Sequence, residues 1–133
     1  MTKKQAEQSN VIACSIKGAG KDIRNAVRGL KLTLREEHNF RIQTVAAFLV
    51  LGAAAYFKLT PVEVAIVVGT IALVMSLETL NSSVERILDA SYPRVDPRVG
   101  RIKDMAGGAV FIAIVGSVII GILIFLPYLL ELG

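Results

Sequence analysis

The stretch from Met105 to Leu130, MAGGAVFIAIVGSVIIGILIFLPYLL, contains no charged residue. A helix needs about 20 mostly apolar residues to cross roughly 30 Å of hydrocarbon, and this stretch exceeds that length. Two further apolar stretches run over residues 42–58 and 62–80. Polar interruptions at the helical period, which would indicate a water-soluble helical bundle, are missing from all three. The sequence therefore predicts an all-α integral membrane protein with three transmembrane helices.

The composition supports one membrane domain that spans residues 1–133. Of the 133 residues, 53% are hydrophobic, and the mean hydropathy of +0.59 is high for a water-soluble domain. Such a length allows one domain, and such apolarity excludes a disordered tail. The single cysteine, Cys14, has no partner in the chain, which excludes a disulfide scaffold.

The basic residues predict how the chain is oriented in the membrane. Nine of the fifteen precede the first span, five lie between the second and third spans, and Lys58 alone lies in the turn after the first span. Cytoplasmic segments carry the excess of Lys and Arg. We therefore expect the N-terminus and a loop over residues 86–104 in the cytoplasm, with the C-terminus outside.

Two local patterns flank the first span. After a polar tail over residues 1–10, residues 11–36 place one apolar face beside one basic stripe. This pattern is typical of an amphipathic helix at an anionic lipid surface. A basic helix packed on the cytoplasmic end of the bundle would have the same pattern. Between the first two spans, Thr60 is expected to be an N-cap, and Pro61 the first residue of the next helix.

Polar residues converge on the predicted cytoplasmic end of the spans. Four share one helix face at spacings of three, four and four residues: Glu78, Asn81, Glu85 and Asp89. Glu37 and the Lys103-Asp104 pair are expected at the same depth. Carboxylates near a lysine suit a Mg²⁺–polyphosphate site, and a further carboxylate can take a proton from a hydroxyl. The alternative is that Glu85 and Asp89 lie past the membrane edge in water.

Three motifs carry a family resemblance. They are ETLNSSVERILD over residues 78–89, KDMAGGAV over residues 103–110 and EHNFR over residues 37–41. Together they resemble the hallmarks of the small prokaryotic diacylglycerol kinase family, with Leu88 in place of the usual Val. The resemblance implies an ATP·Mg²⁺-dependent lipid kinase of the bacterial inner (plasma) membrane. It also implies a homotrimer with active sites shared between chains.

The resemblance also implies roles for individual residues. Glu78 is similar to the family's general base, and Glu37 and Glu85 to its metal-binding carboxylates. The nucleotide-contacting positions are matched by Asn81, Lys103, Asp104 and the segment Arg94, Val95 and Asp96. Lys103 would contact phosphate and Asp104 adenine. The family's aromatic residue on the surface helix is replaced here by Asn25.

The substrate and the function class leave alternatives open. The run Glu37 to Ile42 and the stretch over residues 121–127 resemble the undecaprenol kinase branch, whereas Gln43 replaces the His usual there. Undecaprenol is the favoured lipid alcohol, with diacylglycerol as the alternative. A non-enzymatic membrane scaffold or an ion carrier that uses Glu78 is the alternative of another class. We expect no nucleic-acid partner.

Overall fold

The part of the chain that the structure describes folds into four helices. The computed structural model describes the backbone of residues 3–92 and 96–131, and within these ranges the side chains from residue 18 onward. The helices are α1 (Lys3–Glu36), α2 (His38–Tyr56), α3 (Pro61–Ser91) and α4 (Pro97–Leu130). They form two compact units, Met1–Glu36 and Glu37–Gly133. The all-helical prediction is confirmed.

The first unit is the single helix α1, which contains the predicted amphipathic segment. Its backbone is already helical at Lys3, so most of the stretch expected as a polar tail belongs to the helix. Within the described side chains, the predicted apolar face is exposed at Ile23, Val27, Leu30 and Leu34. Such a face needs an apolar partner or a lipid surface.

The second unit starts with a sharp reversal between α2 and α3. Lys58 has a φ of 54° in the left-handed region, which non-glycine residues adopt rarely. The amide of Leu59 donates to the carbonyl of Ala54 at 3.1 Å, and the amide of Lys58 donates to that of Ala55 at 3.3 Å. These are the two bonds of a Schellman motif. Leu59 and Ala54 are also both buried in one apolar cluster. The turn therefore packs against the core.

The start of α3 follows the sequence prediction. Thr60 is the N-cap and Pro61 begins the helix, and a complete capping box joins Thr60 to Glu63. The Glu63 carboxylate accepts from the Thr60 amide at 2.8 Å and from the Tyr128 hydroxyl at 2.7 Å. The cap therefore fixes the start of α3 and also ties it to the end of α4.

Helix α3 lies in the middle of this unit and contacts both α2 and α4. The apolar core at the turn end consists of Ala54, Leu59, Val67 and Ile124. Two helices in the described residues, α3 and α4, are long and apolar enough to cross a membrane. Since α2 is not among them, the first predicted span, over residues 42–58, stays a prediction.

The expected loop over residues 86–104 is mostly helical, so that expectation was wrong. Helix α3 continues to Ser91, and α4 already begins at Pro97. No Gly or Pro interrupts the chain from Arg86 to Tyr92, so nothing ends α3 until Pro93, which disfavours helical backbone at the residue before it. The polar residues that follow the apolar part of α3 and those that precede the apolar part of α4 are therefore helical.

Candidate active site

Glu78 is the least exposed polar residue among those whose side chains the structure describes. It is 4% exposed on α3, and its Oε2 accepts a hydrogen bond from Gln43 Nε2 on α2 at 3.2 Å. Burying a carboxylate is costly unless hydrogen bonds compensate it. Glu78 also lines a cavity of about 340 Å³, together with Gln43, Asn39, Gly107 and others. The buried acid therefore borders a space that a small group could enter.

The next polar residues on the same face of α3 pair with each other. Asn81 Nδ2 donates to Glu85 Oε1 at 3.0 Å, one helical turn further on. Asn81 Oδ1 is buried and has no hydrogen-bond partner within the described residues. This amide oxygen is an acceptor that a donor on a ligand could satisfy.

Glu37 lies at the N-cap of α2 but does not cap it with its side chain. Its Oε1 instead accepts from Arg86 of α3, at 2.7 Å from Nη2 and 3.2 Å from Nε. The ion pair is partly exposed, with 45% of the arginine and 26% of the glutamate side chain accessible. Partly exposed pairs contribute about 0–1 kcal/mol, so this contact by itself is a weak restraint on Glu37.

Lys103 of α4 forms an ion pair with Asp89 of α3, both at the polar end of the unit. The sequence placed the two residues at the same depth, and the structure brings them into contact. Asp104 is exposed beside Lys103.

Asp96 serves as the N-cap of α4. Its carboxylate accepts from the Arg98 amide at 2.8 Å and from the Arg98 guanidinium at 3.1 Å. The bonds from the Arg98 side chain, and then from its backbone, hold the pKa of Asp96 below its usual value. Arg94 and Val95, which were predicted with Asp96 as a nucleotide-contacting segment, lie outside the described residues.

Those predicted site residues that lie on α3 form a stripe along the helix instead of one cluster. At about 1.5 Å rise per residue, Glu85 lies roughly 10 Å and Asp89 roughly 16 Å beyond Glu78 along the helix axis. Among the residues that the structure describes, no group of three or more His, Cys, Asp or Glu side chains could hold a metal ion. A protein-only metal site is therefore not formed in that part of the chain.

A second, larger space adjoins the Glu78 cavity. It has a volume of about 470 Å³ and an almost wholly apolar lining from α2, α3 and α4, including Val50, Val74 and Phe125. It shares Ile42, Gln43 and Ile114 with the smaller cavity. We call the larger space the apolar groove. Together the two spaces join a cavity lined by Glu78 to an apolar groove.

Two partners of the predicted site residues were missed by sequence reasoning. Gln43 contacts Glu78 and Arg86 contacts Glu37, across 35 and 49 residues of sequence. Gln43 did carry a signal, since it is an uncharged polar residue inside the first apolar stretch. Arg86 gave none, because an arginine just beyond a predicted span is ordinary.

Known proteins with similar sequences identify the family of this chain. A family model described as "Prokaryotic diacylglycerol kinase" matches residues 24–125. A Bacillus subtilis protein named "Undecaprenol kinase" is 39% identical over 105 residues, which are 79% of this chain and 85% of the relative. A Haemophilus influenzae protein named "Diacylglycerol kinase" is 35% identical over 102 residues, or 75% of this chain and 86% of the relative.

A Synechocystis protein, also named "Diacylglycerol kinase", is 36% identical over 110 residues and 82% of this chain. Here the aligned part spans 63% of the relative, slightly less than two thirds of its length. The family model covers most of the chain, and its range contains the Glu78, Glu85 and Lys103 positions. The chain therefore belongs to the prokaryotic diacylglycerol kinase family.

Proposed function

We propose that the protein is a membrane lipid kinase that transfers the γ-phosphoryl group of ATP to a lipid hydroxyl. The observation that carries this proposal is the buried carboxylate of Glu78 beside a cavity that adjoins an apolar groove. A lipid alcohol has a single reactive hydroxyl on a long tail, which is the shape that these two spaces accommodate. Family membership supplies the reaction type.

In the proposed reaction, Glu78 acts as the general base. Its carboxylate takes the proton of the lipid hydroxyl while the hydroxyl oxygen bonds to the γ-phosphorus. The bond between that phosphorus and the β–γ bridging oxygen breaks, and ADP leaves. The products are a lipid phosphate and a proton on Glu78, which then passes to water.

The polar residues of α3 beyond Glu78, with the polar residues at and before the start of α4, are proposed to bind the nucleotide. Lys103 would leave Asp89 for a phosphate oxygen, and Asp104 would contact the adenine. Asn81 would offer its unpartnered Oδ1, and the segment Arg94, Val95 and Asp96 would complete the contacts.

A magnesium ion is proposed to accompany ATP. Mg²⁺ is usually held by one or two carboxylates plus phosphate oxygens, so the scattered acids fit it only with the nucleotide present. Glu85 and Glu37 are the proposed carboxylates, and Glu37 would first have to release Arg86. When bound, Mg²⁺ would neutralise charge on the phosphates.

Undecaprenol is the proposed physiological substrate, and diacylglycerol is the alternative. The run from Glu37 to Ile42 favours undecaprenol, and so does the similarity to the Bacillus subtilis protein of that name. The relatives from Synechocystis and Haemophilus influenzae are named for diacylglycerol, which keeps that lipid as the competing substrate.

The apolar groove is proposed to hold the hydrocarbon tail of the lipid. It adjoins the Glu78 cavity, so a tail in the groove would leave the hydroxyl beside the base. A side chain added at Gly121, which lines the groove, would meet no other atom within 4 Å at its Cβ. We expect Gly121→Leu to raise the KM for undecaprenol more than that for a short prenyl alcohol. Dissociation of the oligomer instead would indicate that a second copy fills the groove.

Assembly and orientation complete the proposal. Because one chain spreads its acids along α3, a homotrimer with sites shared between chains would bring further groups to each site. We propose three membrane spans in the bacterial plasma membrane, with the N-terminus and the active site in the cytoplasm and the C-terminus outside. Helix α1 would lie on the anionic lipid surface, where its basic stripe is attracted.

A paired kinase assay tests the proposed function. The purified protein in mixed micelles receives ATP and Mg²⁺ with undecaprenol or with dioleoylglycerol, and the phosphorylated lipid is measured. Faster turnover of undecaprenol is the expected result. Preference for dioleoylglycerol would keep the mechanism and change the substrate, whereas phosphorylation of neither lipid would contradict the kinase proposal and favour a scaffold or an ion carrier.

A further inference from the structure

Gln43 is a polar residue in a largely apolar position. It lies on α2, and it lines both the apolar groove and the Glu78 cavity. Its Nε2 donates to Glu78 Oε2 at 3.2 Å. Its Oε1 is buried and accepts no hydrogen bond from any residue that the structure describes.

The unpartnered oxygen is an energetic cost of a glutamine at this position. A buried amide that satisfies only one end is unfavourable, but an apolar side chain of the same size would remove the donor to the buried Glu78 carboxylate. The one hydrogen bond that the side chain makes goes to the buried carboxylate. The contact with Glu78 is therefore the reason we assign for a glutamine at this position.

The contact makes the hydrogen bonding of the two Glu78 carboxylate oxygens unequal. Oε2 is engaged by Gln43, whereas Oε1 receives no hydrogen bond from the described part of the chain. A carboxylate with one oxygen engaged has restricted rotation and one oxygen available for an incoming proton. Reactions that depend on such a group are sensitive to small errors in its placement.

We infer that Gln43 is a positioning residue, whose amide holds the carboxylate of Glu78 in the orientation that accepts the proton of the lipid hydroxyl. This inference rests on the proposed function. Gln43 acts through Glu78 and takes no proton itself. It should therefore influence the rate of transfer more than the binding of either substrate.

Three substitutions test the role of the amide donor. Gln43→Met keeps the length and removes the donor, Gln43→Asn keeps the amide and shortens its reach, and Gln43→His provides a ring N–H. We expect Gln43→Met and Gln43→Asn to lower kcat by about ten- to hundredfold, the effect of losing a hydrogen bond to a charged group. The KM values for ATP and lipid should stay close to those of the unsubstituted protein. Gln43→His should recover most of the lost kcat.

The matched control is Thr44→Val on the neighbouring residue. The Thr44 hydroxyl bonds within α2, to the carbonyl of Phe40 at 2.8 Å, and not to Glu78. We expect this similar loss of a polar group to leave kcat unchanged. Thermal melting and the oligomeric state of each variant establish whether it is folded. If Gln43→Met does not fold, the comparison is made with Gln43→Asn alone.

The outcomes separate this inference from the proposed function. An unsubstituted protein that phosphorylates no lipid would overturn the proposed function itself. An active protein whose kcat is unaffected in folded Gln43→Met or Gln43→Asn would overturn only the positioning role. A raised KM for lipid with unchanged kcat would also overturn it, because that pattern indicates substrate binding.

Discussion

Replacing Glu78 with glutamine tests the proposed base with little disturbance of its surroundings. The side chain keeps its shape, and the new amide oxygen can still accept the hydrogen bond from Gln43 Nε2. The substitution also removes a negative charge from a residue that is 4% exposed. Because a buried charge costs more than a neutral amide, we expect the apparent Tm of the variant to be equal to or higher than that of the unsubstituted protein.

The rate should fall sharply although the fold does not weaken. A positioned general base contributes about 10²- to 10⁴-fold to the rate, which corresponds to roughly 3–5 kcal/mol at about 1.4 kcal/mol for each factor of ten. The proposed nucleotide contacts begin at Asn81, roughly 5 Å beyond Glu78 along α3, and extend to Lys103 beside Asp89, roughly 16 Å beyond it. The affinity for the nucleotide should therefore change little in the variant.

The assay compares Glu78→Gln with Glu63→Gln, the same substitution at the other end of α3. Glu63 bonds to Thr60 and Tyr128, and lies roughly 22 Å from Glu78 along the helix axis. We expect Glu63→Gln to lower the apparent Tm and keep the kinase rate. Lipid phosphorylation at saturating ATP, ATP binding and thermal melting are measured for both variants.

A Glu78→Gln variant that kept more than about a tenth of the rate would exclude Glu78 as the general base, since a base contributes at least about 10²-fold. A folded Glu63→Gln variant that lost the rate to the same degree would also exclude it, because the effect would then not be specific to the buried carboxylate.

Three further predictions concern the polar end of the second unit. Arg86→Gln should free Glu37 and move the Mg²⁺ activation midpoint to lower concentration; a higher midpoint would indicate instead that Arg86 binds the nucleotide. Lys103→Ala should raise the KM for ATP and leave that for lipid unchanged, and an unaltered ATP titration would exclude the phosphate contact. Folding lowers the pKa of Asp96 from its usual 3.8. The ionised cap therefore stabilises the protein fully above pH 3.8, and this stabilisation is lost as the pH falls through the lower pKa of the folded protein. Asp96→Ala should therefore lower the apparent Tm at neutral pH, and its difference from the unsubstituted protein should shrink in acid; a pH-independent difference would contradict this.

Local features of the fold could be predicted because short stretches of sequence determine them. Thr60, Pro61 and Glu63 specify the start of α3 through backbone groups within three residues, and the structure has that cap. The shared face of Glu78, Asn81 and Glu85 likewise follows from the helical period alone. These features need no knowledge of how the helices pack.

The partners of the site residues could not be predicted, because they depend on the rotation and register of packed helices. A rotation of α2 would move Gln43 away from Glu78, and a shift along its axis would separate Glu37 from Arg86. Neither quantity is encoded in a local pattern. The shared helix face already predicted helical backbone as far as Asp89, whereas the loop expected from residue 86 followed from hydropathy alone and was wrong, because α3 continues in polar residues to Ser91.

Transfer of the γ-phosphoryl group from ATP to a lipid hydroxyl can be measured directly as the stoichiometry of the products. Purified protein is incubated with γ-labelled ATP, Mg²⁺ and undecaprenol or dioleoylglycerol, and ADP, labelled lipid phosphate and free labelled phosphate are quantified together. We expect ADP and lipid phosphate to form in equal amounts with one of the lipids, and the folded Glu78→Gln variant to form both at least about 10²-fold more slowly. Formation of ADP with free phosphate and without lipid phosphate would contradict transfer to the lipid.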